Sequence, residues 1–167
     1  MVGNATRTLS LAAATMTTGL GAGVFVLYAH TIMPGLRTTD DKTFVGAFQS
    51  IDRAIINPWF IGATFLGAAA FTGAAAATNR ATPAFAWIIG ALAAYILTIV
   101  ITFAVHVPLN DALKAAGSVE ALADVHRVRA NFHETRWAVW NVVRAIASTA
   151  AFVALLWSLV LHGRSTG

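Results

Sequence analysis

The sequence predicts an all-α fold, an integral membrane four-helix bundle with an interfacial amphipathic helix between spans one and two. Three observations lead there. Of 167 residues, 57% are apolar and 11% charged, against about a quarter charged in soluble domains. Mean hydropathy is +0.70, which implies more apolar surface than a water-soluble domain of this length can bury. Four stretches also reach the roughly 20 apolar residues that a membrane-crossing helix requires. The length suits a single domain over 1–167.

The segment Met1–Arg7 carries one positive charge before an apolar run that continues to Pro34, too long for the core of a cleaved signal. It reads as a retained first span from about Leu9 to Met33, closed by Pro34-Gly35. Across Thr38–Ile56, Phe44, Phe48, Ile51 and Ile55 recur at helical spacing beside Gln49, Asp52 and Arg53. That pattern is an amphipathic helix at the interface or capping the bundle. The second span follows Asn57-Pro58, from Trp59 to about Ala77. The polar turn Thr78–Pro83 is short, so spans two and three are antiparallel neighbours. The third span runs from Ala84 to about Val107, where Pro108 is expected to disrupt the helix and leave Asn110 at its end. Ser118 reads as the N-cap of a helix that runs into the fourth span, about Thr135 to Leu161.

An even number of spans places both termini and the short turn at one face and the two long connections at the other. Trp59 falls at the long-connection face, Trp87 and Trp157 near the opposite one, as aromatic belts do. Lys and Arg counts favour the long connections inside, but these residues are interleaved with acids, and orientation stays open. The Ala- and Arg-rich composition suggests a multi-pass protein of a bacterial inner (cell) membrane, in contact with membrane lipids. Its Ala/Gly-rich faces are compatible with a homo-oligomer.

Several function classes drop out. The net charge is +4, yet no basic stripe forms a nucleic-acid footprint. With no cysteine, disulfides, thiolate metal sites and a catalytic thiol are excluded. Nothing resembles the inverted repeat with broken helices of many transporters.

Ionisable groups inside a bilayer cost about 2.5–3.5 kcal/mol on insertion scales, so each is a functional hypothesis. On the fourth span His133, Trp137, Trp140, Asn141, Arg144 and Ser148 share an arc of about 100°. Arg144 lies deep enough to need a partner, such as Asp52, Glu134 or a bound anion. The third span carries Tyr95, Thr98, Thr102 and His106 at spacings of three, four and four. The first places Gly19, Gly23, Val26 and His30 on one side, the glycines allowing close packing. Topology then sets His30, His106 and His133 at one membrane depth, with Gln49, Asp52, Asn110, Asn141 and Arg144 within reach. His126 is an outlying candidate for the same cluster, and His162 lies at the opposite face. Three imidazoles would suit Zn, Cu or Fe. They would equally suit acid/base chemistry in a metal-free pocket, or simple local hydrogen bonding.

The elements His30-x-x-x-Pro34, Phe48-Gln49-x-x-Asp52, Val107-Pro108-Leu109-Asn110 and Trp137-x-x-x-Asn141-x-x-Arg144 together resemble the anthrone oxygenase-like membrane family, over nearly the whole chain. Much of that family is known only as a domain of unknown function. The resemblance implies the four-span architecture and marks Pro108, Asn110, Trp137, Asn141 and Arg144, with His30 and Gln49, as family-type positions. Some fungal members oxidise polyketide anthrones to anthraquinones, inserting oxygen at an activated methylene without a known flavin or haem. Two hypotheses follow. One is an oxygenase or related oxidoreductase acting on a lipophilic, polyketide-like or aromatic substrate. In it a histidine is the base, Arg144 and the asparagines hold an enolate oxygen, and either no cofactor or a transition metal on His30, His106 and His133 assists. The other is a non-enzymatic module that binds a small molecule or metal, or serves as an assembly subunit.

Overall fold

The computed structural model describes residues 3–166, and every regular element among them is helical. The expected N-terminal segment Met1–Arg7 lies partly outside the described residues. We number the helices α1 (Asn4–Arg37), α2 (Asp41–Ile55), α3 (Trp59–Thr78), α4 (Phe85–Ala115), α5 (Val125–Asn131) and α6 (Glu134–Thr166). Four of them are long and apolar enough to cross a membrane: α1, α3, α4 and the last, α6. Around the bundle the order is α1, α6, α4, α3, and α3 closes back on α1. Large apolar side chains face outward along its flanks, among them Met16, Phe71, Val100, Phe103, Ile146 and Val153. In water that belt would be costly; against acyl chains it is not.

Both ends and the α3–α4 turn meet at one face. There Arg7 Nε donates to the Thr78 carbonyl (3.1 Å), and Thr8 Oγ1 lies 2.9 Å from His162 Nε2. This half is packed by small residues such as Ala14, Ala68, Ala75, Ala91 and Ala151 around Leu11, Ile88 and Leu155. The other half is aromatic, with Tyr28, Phe44, Phe48, Phe132 and Trp137 in one core. The amphipathic α2 roofs it, packed on α5 and the ends of α1 and α4. Asp40 caps α2, its Oδ1 accepting from the Thr43 amide at 3.0 Å.

Three spans widen into π-helical turns toward the roofed end: Tyr28–Ile32, Trp59–Leu66 and Thr102–His106. They explain a departure from the sequence reading. Pro34 and Pro108 do not end their helices, which continue to Arg37 and Ala115. A proline ring clashes with the carbonyl four residues back, here at His30 and Ala104. Both carbonyls lie in π turns, where the widened backbone makes room. Asn110 therefore sits within α4, not at its end.

Two other expectations are corrected. Ser118 precedes only a short 3₁₀ turn, Val119–Ala121, and its hydroxyl donates to the Glu120 carboxylate. The chain does not run unbroken into the last span, because His133 takes φ +52° between α5 and α6. On α1 the inward face is Thr18, Gly21, Ala22, Phe25 and Tyr28, while Gly23, Val26 and His30 are exposed. In a span apolar all round, the hydrophobic pattern fixes no phase.

Candidate active site

Beneath the α2 roof lies a cavity of about 150 Å³ bounded by α1, α2, α3, α4 and α6. Phe25, Tyr28, Phe48, Phe60, Phe65 and Trp137 make its walls apolar. The polar lining comes largely from one face of α4, where Thr102, His106, Asn110 and Lys114 recur every four residues. Twelve residues at 1.5 Å each make that column roughly 18 Å tall.

Arg144 stands at its deep end, only 6% exposed. Its Nη1 donates to Thr102 Oγ1 (3.1 Å) and its Nη2 to Asn141 Oδ1 (2.8 Å), while Nε has no partner. The guanidinium lies over the Phe25 ring, 4.2 Å from the centroid. Asn141 is held in turn by donating to the Phe25 carbonyl at 3.1 Å. The two acids considered as counter-ions are engaged elsewhere. Asp52 pairs with Lys114 at 2.8 Å, and Glu134 with Arg37 at 2.7 Å and Arg129 at 3.2 Å. No carboxylate among the described residues forms an ion pair with Arg144. Burying a cation this way costs several kcal/mol unless something compensates, and a ring face with two neutral acceptors does so only partly.

His106 is 1% exposed and one turn along α4 from Thr102. Its Nδ1 lies 3.4 Å from the Ile101 carbonyl, and its Nε2 has no partner. A carbonyl can only accept, so in the tautomer that satisfies this contact the proton is on Nδ1 and Nε2 carries a lone pair. The ring stands edge-to-face on Trp137, centroids 4.8 Å apart. Trp137 begins a polar relay. Its Nε1 donates to Asn110 Oδ1 (2.8 Å), Asn110 Nδ2 donates to Asp52 Oδ1 (2.6 Å), and Asp52 Oδ2 meets Lys114. The indole N–H and the carboxylate together orient the Asn110 amide.

The histidine cluster does not form. His30 is exposed and bonded to Thr31 Oγ1 (2.6 Å), and His133 is exposed at the α5–α6 break. Only His106 reaches the cavity. Among the described residues, no three His, Asp or Glu side chains group to hold a metal ion, so His30, His106 and His133 do not form the expected ligand set. The π turn at Tyr28–Ile32 contains His30, and Tyr28, not His30, is presented inward. Gln49 is buried but absent from the cavity lining; its Nε2 donates to the Leu113 (2.8 Å) and Gly117 (3.0 Å) carbonyls, capping the end of α4. His126 belongs to a separate interfacial clamp. Its Nδ1 donates to Asp41 Oδ2 (2.9 Å), while Arg129 binds Asp41 Oδ1 (3.0 Å) and the Thr39 carbonyl (2.9 Å). The hydrogen bond from His126, followed by that from Arg129, holds the Asp41 carboxyl below the usual carboxylate range.

Sequence reasoning overlooked Tyr28, whose ring lies 5.7 Å from Trp137 in the cavity wall. Its one signal was a position three residues past Phe25 on the face that proved to be inward.

The sequence model of the anthrone oxygenase family matches residues 55–154. The chain belongs to the anthrone oxygenase family. No curated protein and no solved structure matches it. The anthrone oxygenase match takes in His106, Asn110, Trp137, Asn141 and Arg144, whereas Phe25, Tyr28 and Asp52 enter the cavity from outside it.

Proposed function

We propose that the chain is a membrane-embedded oxygenase for a lipophilic, enolisable aromatic substrate that enters from the surrounding lipid. The observation that carries this reading is the Arg144 guanidinium, buried beside the cavity without a carboxylate and bonded to Thr102, which lies one turn of α4 from His106 with its unpartnered Nε2. Such a cation is complementary to an oxyanion that exists only when substrate is present. The nitrogen is a base with no competing donor.

In this mechanism His106 Nε2 takes a proton from the activated C–H, and Arg144 holds the resulting enolate oxygen. Asn141 and Thr102 fix the guanidinium. The electron-rich carbon reduces O₂ and bonds to one of its atoms, and the imidazolium returns its proton to give a hydroperoxide. Loss of the second hydrogen with O–O cleavage then leaves a carbonyl and water, so CH₂ and O₂ become C=O and H₂O. Family membership supports this class of reaction, and the aromatic walls suit a flat substrate.

Oxygen consumption by detergent-purified protein tests it, with an anthrone and an alkylphenol as substrates. Uptake above the protein-free rate is expected, and it should fall about a hundredfold or more in Arg144→Met and in His106→Gln, the order typical of losing one general base or oxyanion donor. Absence of uptake with either substrate, or uptake indifferent to both variants, would overturn the oxygenase. Binding without turnover would instead indicate a small-molecule-binding module.

A further inference from the structure

We infer that the head group this cavity accepts is a single phenolic ring carrying an apolar tail, not a fused tricyclic ring system. This rests on the oxygenase reading above and names the substrate class for the same site.

Size comes first. An apolar cavity of about 150 Å³ encloses one benzene ring, and the space under α2 is about 150 Å³. A tricyclic anthrone has more than twice as many carbons, so part of it must stay outside or push the walls apart. Those walls are aromatic and interlocked: Phe48 stands perpendicular to Trp137 with centroids 5.5 Å apart, and Phe25 meets Phe65 edge-on at 6.3 Å. Packed interiors of this kind resist added volume.

Polarity comes second. A bare hydrocarbon would leave the Arg144 charge uncompensated, whereas a phenol oxygen can meet both its free Nε and His106 Nε2. An adjacent cation also favours the ionised phenol.

The mouth supplies the tail. Ile55, Ile56, Phe60 and Ile61 line the cavity on either side of the Asn57-Pro58 break between α2 and α3. At that break Ile56 is 58% and Trp59 71% exposed, an apolar edge at membrane level. A chain attached to the ring can leave there along these apolar side chains into lipid.

The overall chemistry carries over with one change: from a phenol His106 Nε2 takes the O–H proton, not a C–H proton, and Arg144 holds the same oxygen. A phenol with a free para C–H is the one-ring counterpart of an anthrone's enol form. Phenol and O₂ give para-quinone and water: the ring C–H and the O–H are lost, one oxygen atom forms the new C=O, and the other leaves in the water with those two hydrogens. The ring is oxidised by four electrons, all of which O₂ accepts.

The test is equilibrium binding to the full chain in detergent, with 2-decylphenol and anthrone as the two probes. The phenol should bind at least about tenfold more tightly, the order expected from forcing excess volume into a packed wall. Its affinity should drop about tenfold or more in Arg144→Met, as expected for losing a charge-assisted hydrogen bond. Phe60→Ala, which enlarges the mouth, should narrow the preference over anthrone; this readout does not depend on the Arg144 variant folding. Anthrone binding as tightly as the phenol, with the same loss in Arg144→Met, would overturn the one-ring head while leaving the oxygenase reading intact. Arg144-independent binding of both probes would overturn the two together.

Discussion

Replacing Asp52 with alanine perturbs the polar relay where α2 meets α4, and its cost can be worked from the contacts. Asp52 is 6% exposed and accepts from Asn110 Nδ2 at 2.6 Å. A hydrogen bond to a charged acceptor contributes about 1.5–3 kcal/mol. The second contact, to Lys114 at 2.8 Å, is worth less. That side chain is 24% exposed and keeps Asp111 at 3.1 Å, so solvent screening limits the pair to about 1 kcal/mol or below. Asp52→Ala should therefore destabilise the fold by about 1.5–4 kcal/mol, and Lys114→Met by about 1 or less. Reversible unfolding in mixed detergent micelles measures both. The decisive form is a double-mutant cycle with Asn110→Ala, for which a coupling of about 1.5–3 kcal/mol is expected. Additivity within about 0.5 kcal/mol would refute the relay as an energetic unit.

Other outcomes rest on neighbouring contacts. A Cβ on Gly19 would come within 2.7 Å of the Phe152 ring, whereas one on Gly23 meets nothing within 4 Å. Gly19→Ala should thus destabilise, while Gly23→Ala should be neutral or stabilise by up to about 1 kcal/mol through helix propensity, checked by the same unfolding assay. His30→Ala and His133→Ala should leave ligand affinity unchanged in a binding titration, because neither side chain lines the cavity. Asp41 has its folded pKa lowered by His126 and then Arg129. Its stabilising contribution is thus fully present above the ordinary carboxyl value near about 3.9 and is lost as pH falls through the lower folded value. In pH-dependent unfolding, Asp41→Asn should flatten the acid limb.

The architecture was legible because lipid imposes simple rules. Length and hydropathy mark four helices that can span a membrane, and the Phe44, Phe48 stripe marks α2 as a roof. On α4 the polar stripe Thr98, Thr102, His106 stands out against an otherwise apolar helix, and the structure turns it inward. On α6, Trp137, Asn141, Arg144 and Ser148 behave likewise, though Trp140 from the same arc is 39% exposed. The first span failed because Ala, Gly and Val on every side give no phase: Gly23 and Val26, on the side of His30, are exposed before the π turn at Tyr28–Ile32 begins. His30 therefore faces out with them, and Tyr28, three residues past Phe25, faces in. No periodicity rule foresees that two prolines sit beyond π turns and leave their helices continuous. Nor could sequence show that Asp52 and Glu134 are already paired, which is what leaves Arg144 without a counter-ion.

The unpaired guanidinium and His106 Nε2 serve one bound substrate, and for a phenol they meet at its oxygen. An experimental structure with a tail-bearing phenol would measure that directly. The phenol oxygen should lie within hydrogen-bonding distance, about 2.7–3.2 Å, of both Arg144 Nε and His106 Nε2, with the ring between Phe25 and Trp137. A ligand seated elsewhere, or a carboxylate found against Arg144 in its place, would contradict the account.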